Sequence, residues 1–175
     1  MTNPLSTNSP ATNPLSKDAP ATVALMDWWQ SLANDKGTRA TLRRCKTPRA
    51  VMLHPAYARL HHQVAAHLRG RGNWELQLAR VVGLLSHTTG QTTNSARTLA
   101  KQMGGTQPVV SELRFQRLLQ CNANDLYDRM TRIVQMLGEN VYLPDLIESM
   151  FFWNDRTKRR WAMEYFATVP SKKTA

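Results

Sequence analysis

Four arginines within a span of nineteen residues carry the chemistry this chain is best equipped to do. Arg114 and Arg117 are three apart, and so are Arg129 and Arg132. Helical residues at that spacing share a face. Each pair therefore offers two guanidinium groups side by side. A guanidinium is always charged and donates through a planar fork that matches phosphate. Such a pattern suits anion binding, not bond cleavage. For Arg129 and Arg132 a plainer role stands beside it. Asp125 and Asp128 lie four residues ahead of them, the spacing of surface ion pairs worth a few tenths of a kcal/mol. Arg114 and Arg117 have no acidic residue at i+3 or i+4.

Two helices are needed to hold these side chains, and residues 109–137 predict them as a hairpin turning at Asn122–Asn124. Ser111 suits an N-cap, and Glu112 falls in the first turn, where the helix dipole favours a carboxylate. Leu113 and the pair Leu118–Leu119 are expected on the buried side. In the second helix Leu126, Met130, Ile133, Val134 and Leu137 follow amphipathic spacing, with the arginines off the stripe.

The rest of the chain divides into a tail and a helical body. TNPLSTNSPA at 2–11 is echoed by TNPLSKDAPA at 12–21. Apolar content there is too low to repay ordering, which predicts a disordered, low-complexity tail over 1–20, a folded segment over 21–170 and a basic end at 171–175. Leu25, Trp28, Trp29 and Leu32 mark a first helix ending near Gly37. Thr38 is the expected cap of a short basic helix with Arg39, Leu42, Arg43 and Arg44. Arg39 and Arg43 are i,i+4 neighbours without a carboxylate between them, a repulsion a polyanion would relieve. Lys46, Pro48 and Arg49 extend the basic segment into a loop. His54–Pro55 opens a helix with Tyr57, Leu60, Val64 and Leu68 inward. Its His61, His62 and His67 lack metal-site spacing and companion ligands. Residues 74–85 are apolar nearly all round, the mark of a central helix. His87–Ser95 is a polar loop, and Ser95 is the expected cap of a short helix bearing Arg97 and Lys101 at i,i+4. After the hairpin come a helix over 143–153 and a last one opened by Asp155. That last helix bears Arg156, Lys158, Arg159 and Arg160, with Trp161, Tyr165, Phe166 and Val169 on its apolar side. No period-2 strand is visible. The expected fold class is all-α, a compact bundle of about nine helices with no sheet.

Composition narrows the function. Over 175 residues the formal net charge is +11 and the pI about 10.4. Residues 1–20 hold only Lys17 and Asp18, so the excess sits on the folded part. Arginine outnumbers lysine 16 to 7, a bias toward phosphate and base stacking. Nucleic acid is the expected partner, ahead of an acidic membrane. There is no apolar run of about 18 residues to span a bilayer, and the N-terminus lacks the basic start and apolar run of a signal peptide. Cys45 and Cys121, far apart and without a CxxC pattern, are expected to be reduced core thiols of a cytoplasmic protein. P-loop, GxGxxG and GxSxG motifs are absent, and the few carboxylates form no metal-ion pair for phosphodiester cleavage. No catalytic residue, metal or cofactor is expected. Trp28, Trp29, Trp153 and Trp161 are assigned to the core. No base-reading motif is present, so clustered charge implies sequence-independent binding of a nucleic-acid backbone.

An ordered set of segments also resembles one family. Ser-Glu-Leu-Arg-Phe-Gln-Arg-Leu-Leu at 111–119 is similar to the most recognisable segment of CasB, the small subunit of the type I-E CRISPR surveillance complex, Cascade. WWQSLANDKGTRATLRR at 28–44, VVGLLS at 81–86, ARTLAKQM at 96–103 and FFWNDRTKRRWAMEYF at 151–166 resemble its other segments. Together they span 22–168 in order. The resemblance implies an all-helical, non-enzymatic subunit, present twice in a crRNA-guided complex. Its implied partners are the backbone and large subunits, a second copy of itself, crRNA and target DNA, with the displaced strand of the R-loop foremost. Carried over by position, the implied nucleic-acid contacts are Arg43, Arg44, Arg97, Arg114, Arg129, Arg132 and Arg159 or Arg160. Local spacing adds Arg39, Lys101 and Arg117. The alternative is a basic helical adaptor that binds acidic proteins without touching nucleic acid.

Overall fold

Polar side chains begin many of the helices, because the first N–H groups of a helix have no partner within it. The structure is a computed structural model that describes residues 12–171. Its helices are α1 (Pro20–Ser31), α2 (Lys36–Arg44), α3 (Pro48–Met52), α4 (Pro55–Leu68), α5 (Trp74–Ser86), α6 (Leu99–Met103), α7 (Glu112–Gln120), α8 (Ala123–Met136), α9 (Leu143–Phe151) and α10 (Asp155–Thr168). Asp35, Thr47, His54, Ser111, Asn122 and Asn154 accept backbone N–H groups at the starts of α2, α3, α4, α7, α8 and α10. Proline, with no N–H to satisfy, opens α1, α3 and α4.

The chain is all-α in essence, as its periodicity predicts. One detail departs from a bundle without a sheet. Gly90–Gln91 (β1) pairs in parallel with Asn140–Val141 (β2). Two residues per strand carry no alternation to read, so only the approach of the two loops reveals the pairing.

At the centre is α5, buried from Trp74 through Ser86 on nearly every side. It packs against α1, α2, α3, α4, α8 and α9. Trp29 and Trp161 are buried in the core, with Trp28 and Trp153 packed partly against it. Both cysteines are free thiols, and burial pushes each above its ordinary value. No helix among the described residues is long and apolar enough to cross a membrane.

Several local expectations change. Asp35, not Thr38, caps α2, accepting the Thr38 N–H at 3.0 Å. Residues 48–52, expected in a loop, form α3 behind the Thr47 cap. Arg97 lies ahead of α6, which starts at Leu99 with Thr98 in the cap position, not Ser95. Leu113 is 57% exposed, and Phe115 takes the inward place, stacked on Tyr165. The folded body begins earlier than Ala21. Asn13 accepts the Leu15 N–H through Oδ1 and donates from Nδ2 to Glu148. That turn drops Leu15 into the core at 0% exposure. One leucine in a polar stretch is invisible to composition. The remainder of the expected tail, residues 1–11, and residues 172–175 lie outside the described residues.

Candidate nucleic-acid interface

α7 and α8 form the expected hairpin, with Asn122 capping the second helix through the N–H groups of Asn124 and Asp125. Their apolar sides turn inward through Phe115, Leu118, Leu126, Met130, Ile133 and Val134. That leaves Arg114, Arg117, Arg129 and Arg132 at the surface. All four line one cleft of about 340 Å³, together with Val110, Leu118, Ile133 and Met136. Arg132 is paired with Asp128 at 3.0 Å, both well exposed. Among the described residues no ion pair joins Asp125 to Arg129. Exposed pairs of this kind are worth at most about 1 kcal/mol, so the pair holds Arg132 only weakly.

Met136 also lines a second cleft, of about 500 Å³, whose other walls include Arg97, Gln91, Thr92, Thr93, Gln102 and Asn140. The β1–β2 pair supplies Gln91 and Asn140 to it. The two clefts share Met136 as a wall residue, and between them they carry five arginines, the arginine track.

The other expected contacts are distributed differently. Arg39 donates to the carbonyl of Thr88 at 2.8 Å. Arg43 donates to the carbonyls of Ser86 and His87 and pairs with Glu139 at 2.9 Å. Arg43 caps the C-terminal end of α5, whose last carbonyls have no partner within the helix, and Arg39 holds the turn just beyond it. Burial lowers Arg39 from its ordinary value, with Arg43 adding to it. Glu139 offsets part of the repulsion between the two from inside the molecule. Arg160 sits against Asp145 at 2.8 Å, Ser149 at 2.7 Å and Glu164 at 3.4 Å. Burial opposes its charge, but the two carboxylates outweigh that and raise it above the ordinary value. Arg39, Arg43 and Arg160 are therefore committed to the fold. Arg44 and Lys101 are exposed but line neither cleft. Arg159 is exposed on α10 beside Ala162, Met163, Phe166 and Ala167, an apolar surface well apart in character from the arginine track.

Sequence reasoning passed over Arg80, which interrupts the apolar run of α5. It is 4% exposed and donates to the Met150 carbonyl at 2.9 Å. The available signal was the charge itself, in the middle of a helix that is otherwise apolar. Among the described residues no group of three or more metal-ligating side chains comes together.

Comparison with known proteins places the chain. Its backbone is similar to a chain of Escherichia coli Cascade bound to a PAM-containing double-stranded DNA target, with TM-score 0.62 and 21% identity, covering 83% of this chain and 94% of that one. It is likewise similar to CasB from Thermus thermophilus, with TM-score 0.60 and 23% identity over 85% of this chain and 98% of that one. No curated protein matches it. The family model for the CRISPR-associated protein Cse2 matches residues 38–166, well over half of the chain, which belongs to that family.

Proposed function

We propose that the protein is a non-catalytic small subunit of a crRNA-guided Cascade complex that holds nucleic-acid backbone along its arginine track. The observation that carries this reading is the convergence of Arg114, Arg117, Arg129 and Arg132 on one cleft, which shares Met136 with the cleft lined by Arg97. Opening a DNA duplex against a guide RNA is a near-balanced exchange, so backbone contacts can tip it. Arginines on rigid helices supply such contacts without reading sequence. The bound strands in this reading are the guide RNA–target duplex and above all the displaced DNA strand. Contacts with the backbone and large subunits and with a second copy fall to other faces. The exposed Met163 and Phe166 beside Arg159 support a protein contact there.

Binding of a single-stranded 20-nucleotide oligomer to the full chain, followed by fluorescence anisotropy across salt concentrations, tests the track. A plot of log affinity against log salt has a slope of about 0.7 per single-strand phosphate engaged. The double variant Arg114→Ala/Arg117→Ala is expected to flatten that slope by about 1.4. An unchanged slope removes the hairpin from the binding surface.

A further inference from the structure

A third cleft, of about 210 Å³, lies on the other side of α8. Lys46, Thr47 and Arg49 line it from around the start of α3, Arg80 from α5, and Asn124, Tyr127 and Asp128 from α8, with Pro48, Leu76 and Ala123 as its apolar wall. Arg80 is the unusual member. Its guanidinium is buried, no carboxylate lies within ion-pair distance among the described residues, and its Nε is buried without a hydrogen-bond partner. A buried charge without a counter-charge is costly. Its bond to the Met150 carbonyl engages one end of the guanidinium, and its charge has no carboxylate to offset it.

The surrounding groups say what the cleft would hold. Lys46 and Arg49 are exposed and engaged in no described ion pair. Three cations thus face one small space. Asp128, the only acidic residue on its wall, is turned to Arg132 at 3.0 Å. The Tyr127 hydroxyl is spent on the Cys45 carbonyl, at 3.2 Å. Thr47 accepts the Ala50 N–H, which leaves its hydroxyl proton to donate. Lys46, Arg49, Arg80 and the Thr47 hydroxyl are the donors of the cleft, set in a wall otherwise largely apolar. Its volume equals that of about seven waters at ~30 Å³ each, too small for a folded partner.

We propose that this cleft is a phosphate-binding site, with Lys46 and Arg49 at the rim and Arg80 at the inner wall. It deepens the nucleic-acid reading by adding a second seat, separated from the four-arginine cleft by the thickness of α8. A phosphodiester of a nucleic-acid strand and a free polyphosphate share the chemistry it recognises.

The test uses the full chain with two probes, a 20-nucleotide oligodeoxythymidine and tripolyphosphate. Arg80 also caps Met150, so Arg80→Ala can lose stability for that reason alone. Lys46→Ala/Arg49→Ala changes only exposed side chains and keeps the fold. Arg80→Lys keeps the charge but loses the fork. Both variants are expected to bind oligodeoxythymidine at least threefold more weakly, or to lose the rise in Tm that tripolyphosphate gives the parent. Loss confined to the oligomer identifies a nucleic-acid phosphodiester as the ligand, and loss confined to tripolyphosphate a free phosphate. Both variants behaving as the parent with both probes overturns the site. If that happens while Arg114→Ala/Arg117→Ala still loses oligomer affinity, the proposed function stands and only this seat falls. Unchanged binding in Arg114→Ala/Arg117→Ala with weakened Lys46→Ala/Arg49→Ala is the reverse outcome.

Discussion

Arg43 and Arg114 carry the same charge on two short helices, yet one is used inside the fold and the other is left at the surface. Removing Arg43 takes a donor from the carbonyls of Ser86 and His87 and leaves the Glu139 carboxylate with only the Thr89 hydroxyl. Glu139 also holds a left-handed backbone at φ 59°, which this contact helps to secure. Arg43→Ala should cost about 2 kcal/mol in urea unfolding. Arg160→Ala should cost about 3 kcal/mol, because it leaves the buried Asp145 with only the Leu99 N–H and the Ser149 hydroxyl. Arg114→Ala/Arg117→Ala should stay within about 0.5 kcal/mol of the parent. Equal stabilities across these variants would return Arg43 and Arg160 to the list of binding residues. Histidines add a pH dependence. Burial lowers His54 and His87 from their ordinary values. His54 Nδ1 accepts the Ala56 N–H at 3.1 Å, so its proton sits on Nε2, facing Thr41 at 2.8 Å. Below about pH 6.5 the unfolded chain takes up protons that these folded rings refuse. Stability is therefore full above that pH and falls as pH drops through it. Thermal melts from pH 7.5 to pH 5 should show a falling Tm, less steeply in His54→Asn, which keeps a capping side chain.

At the scale of elements, the position of α8 decides where two of the four cleft arginines point. α8 is seated against α5 at Gly83, where an added Cβ would lie 2.7 Å from the Tyr127 ring carbon Cε2. Tyr127 in turn donates to the Cys45 carbonyl at the end of α2, and burial pushes its hydroxyl well above the ordinary value. Gly83→Ala gains about 1 kcal/mol of helix propensity and meets an overlap worth about 1–3 kcal/mol. The overlap wins, because the contact is with a buried ring that has no room to turn away. A net loss of about 1 kcal/mol is expected from thermal unfolding, with weaker oligomer binding as α8 shifts. A Gly83→Ala protein more stable than the parent would show that α8 yields without cost. A helix start was legible at Ser111, where a capping residue is followed by a carboxylate in the first turn. Starts were misread where two capping candidates competed, Asp35 against Thr38 and Thr98 against Ser95. Hydroxyls and carboxylates at neighbouring positions satisfy the same rule, and backbone direction chooses between them.

The whole molecule sets how charge and shape combine. Its excess of +11 is spread over several helices, but the clefts gather only part of it. Five arginines line the two clefts that share Met136, while Arg39, Arg43 and Arg160 engage the molecule's own carbonyls and carboxylates. The track alone should therefore contribute about 3.5 to the log–log salt slope for single-stranded DNA, the value for five phosphates. Every arginine on the basic helices acting together would give a far steeper one. A slope near zero would favour the adaptor reading, in which the basic face meets acidic protein.

Helix content, the central place of α5, the hairpin and the pairing of Arg114 with Arg117 and Arg129 with Arg132 were all written in the sequence. Each depends on residues three or four apart, and helical geometry converts that spacing directly into a face. Tertiary structure alone decided which arginines remain available. Arg43 reaches Ser86 and Glu139, 43 and 96 positions away, and Arg80 reaches Met150, 70 positions away. The burial of Leu15 against the core was likewise set by distant packing. A side chain's charge is a local property, but its partner is chosen by the packing of the whole chain, and that choice separates a structural arginine from a binding one.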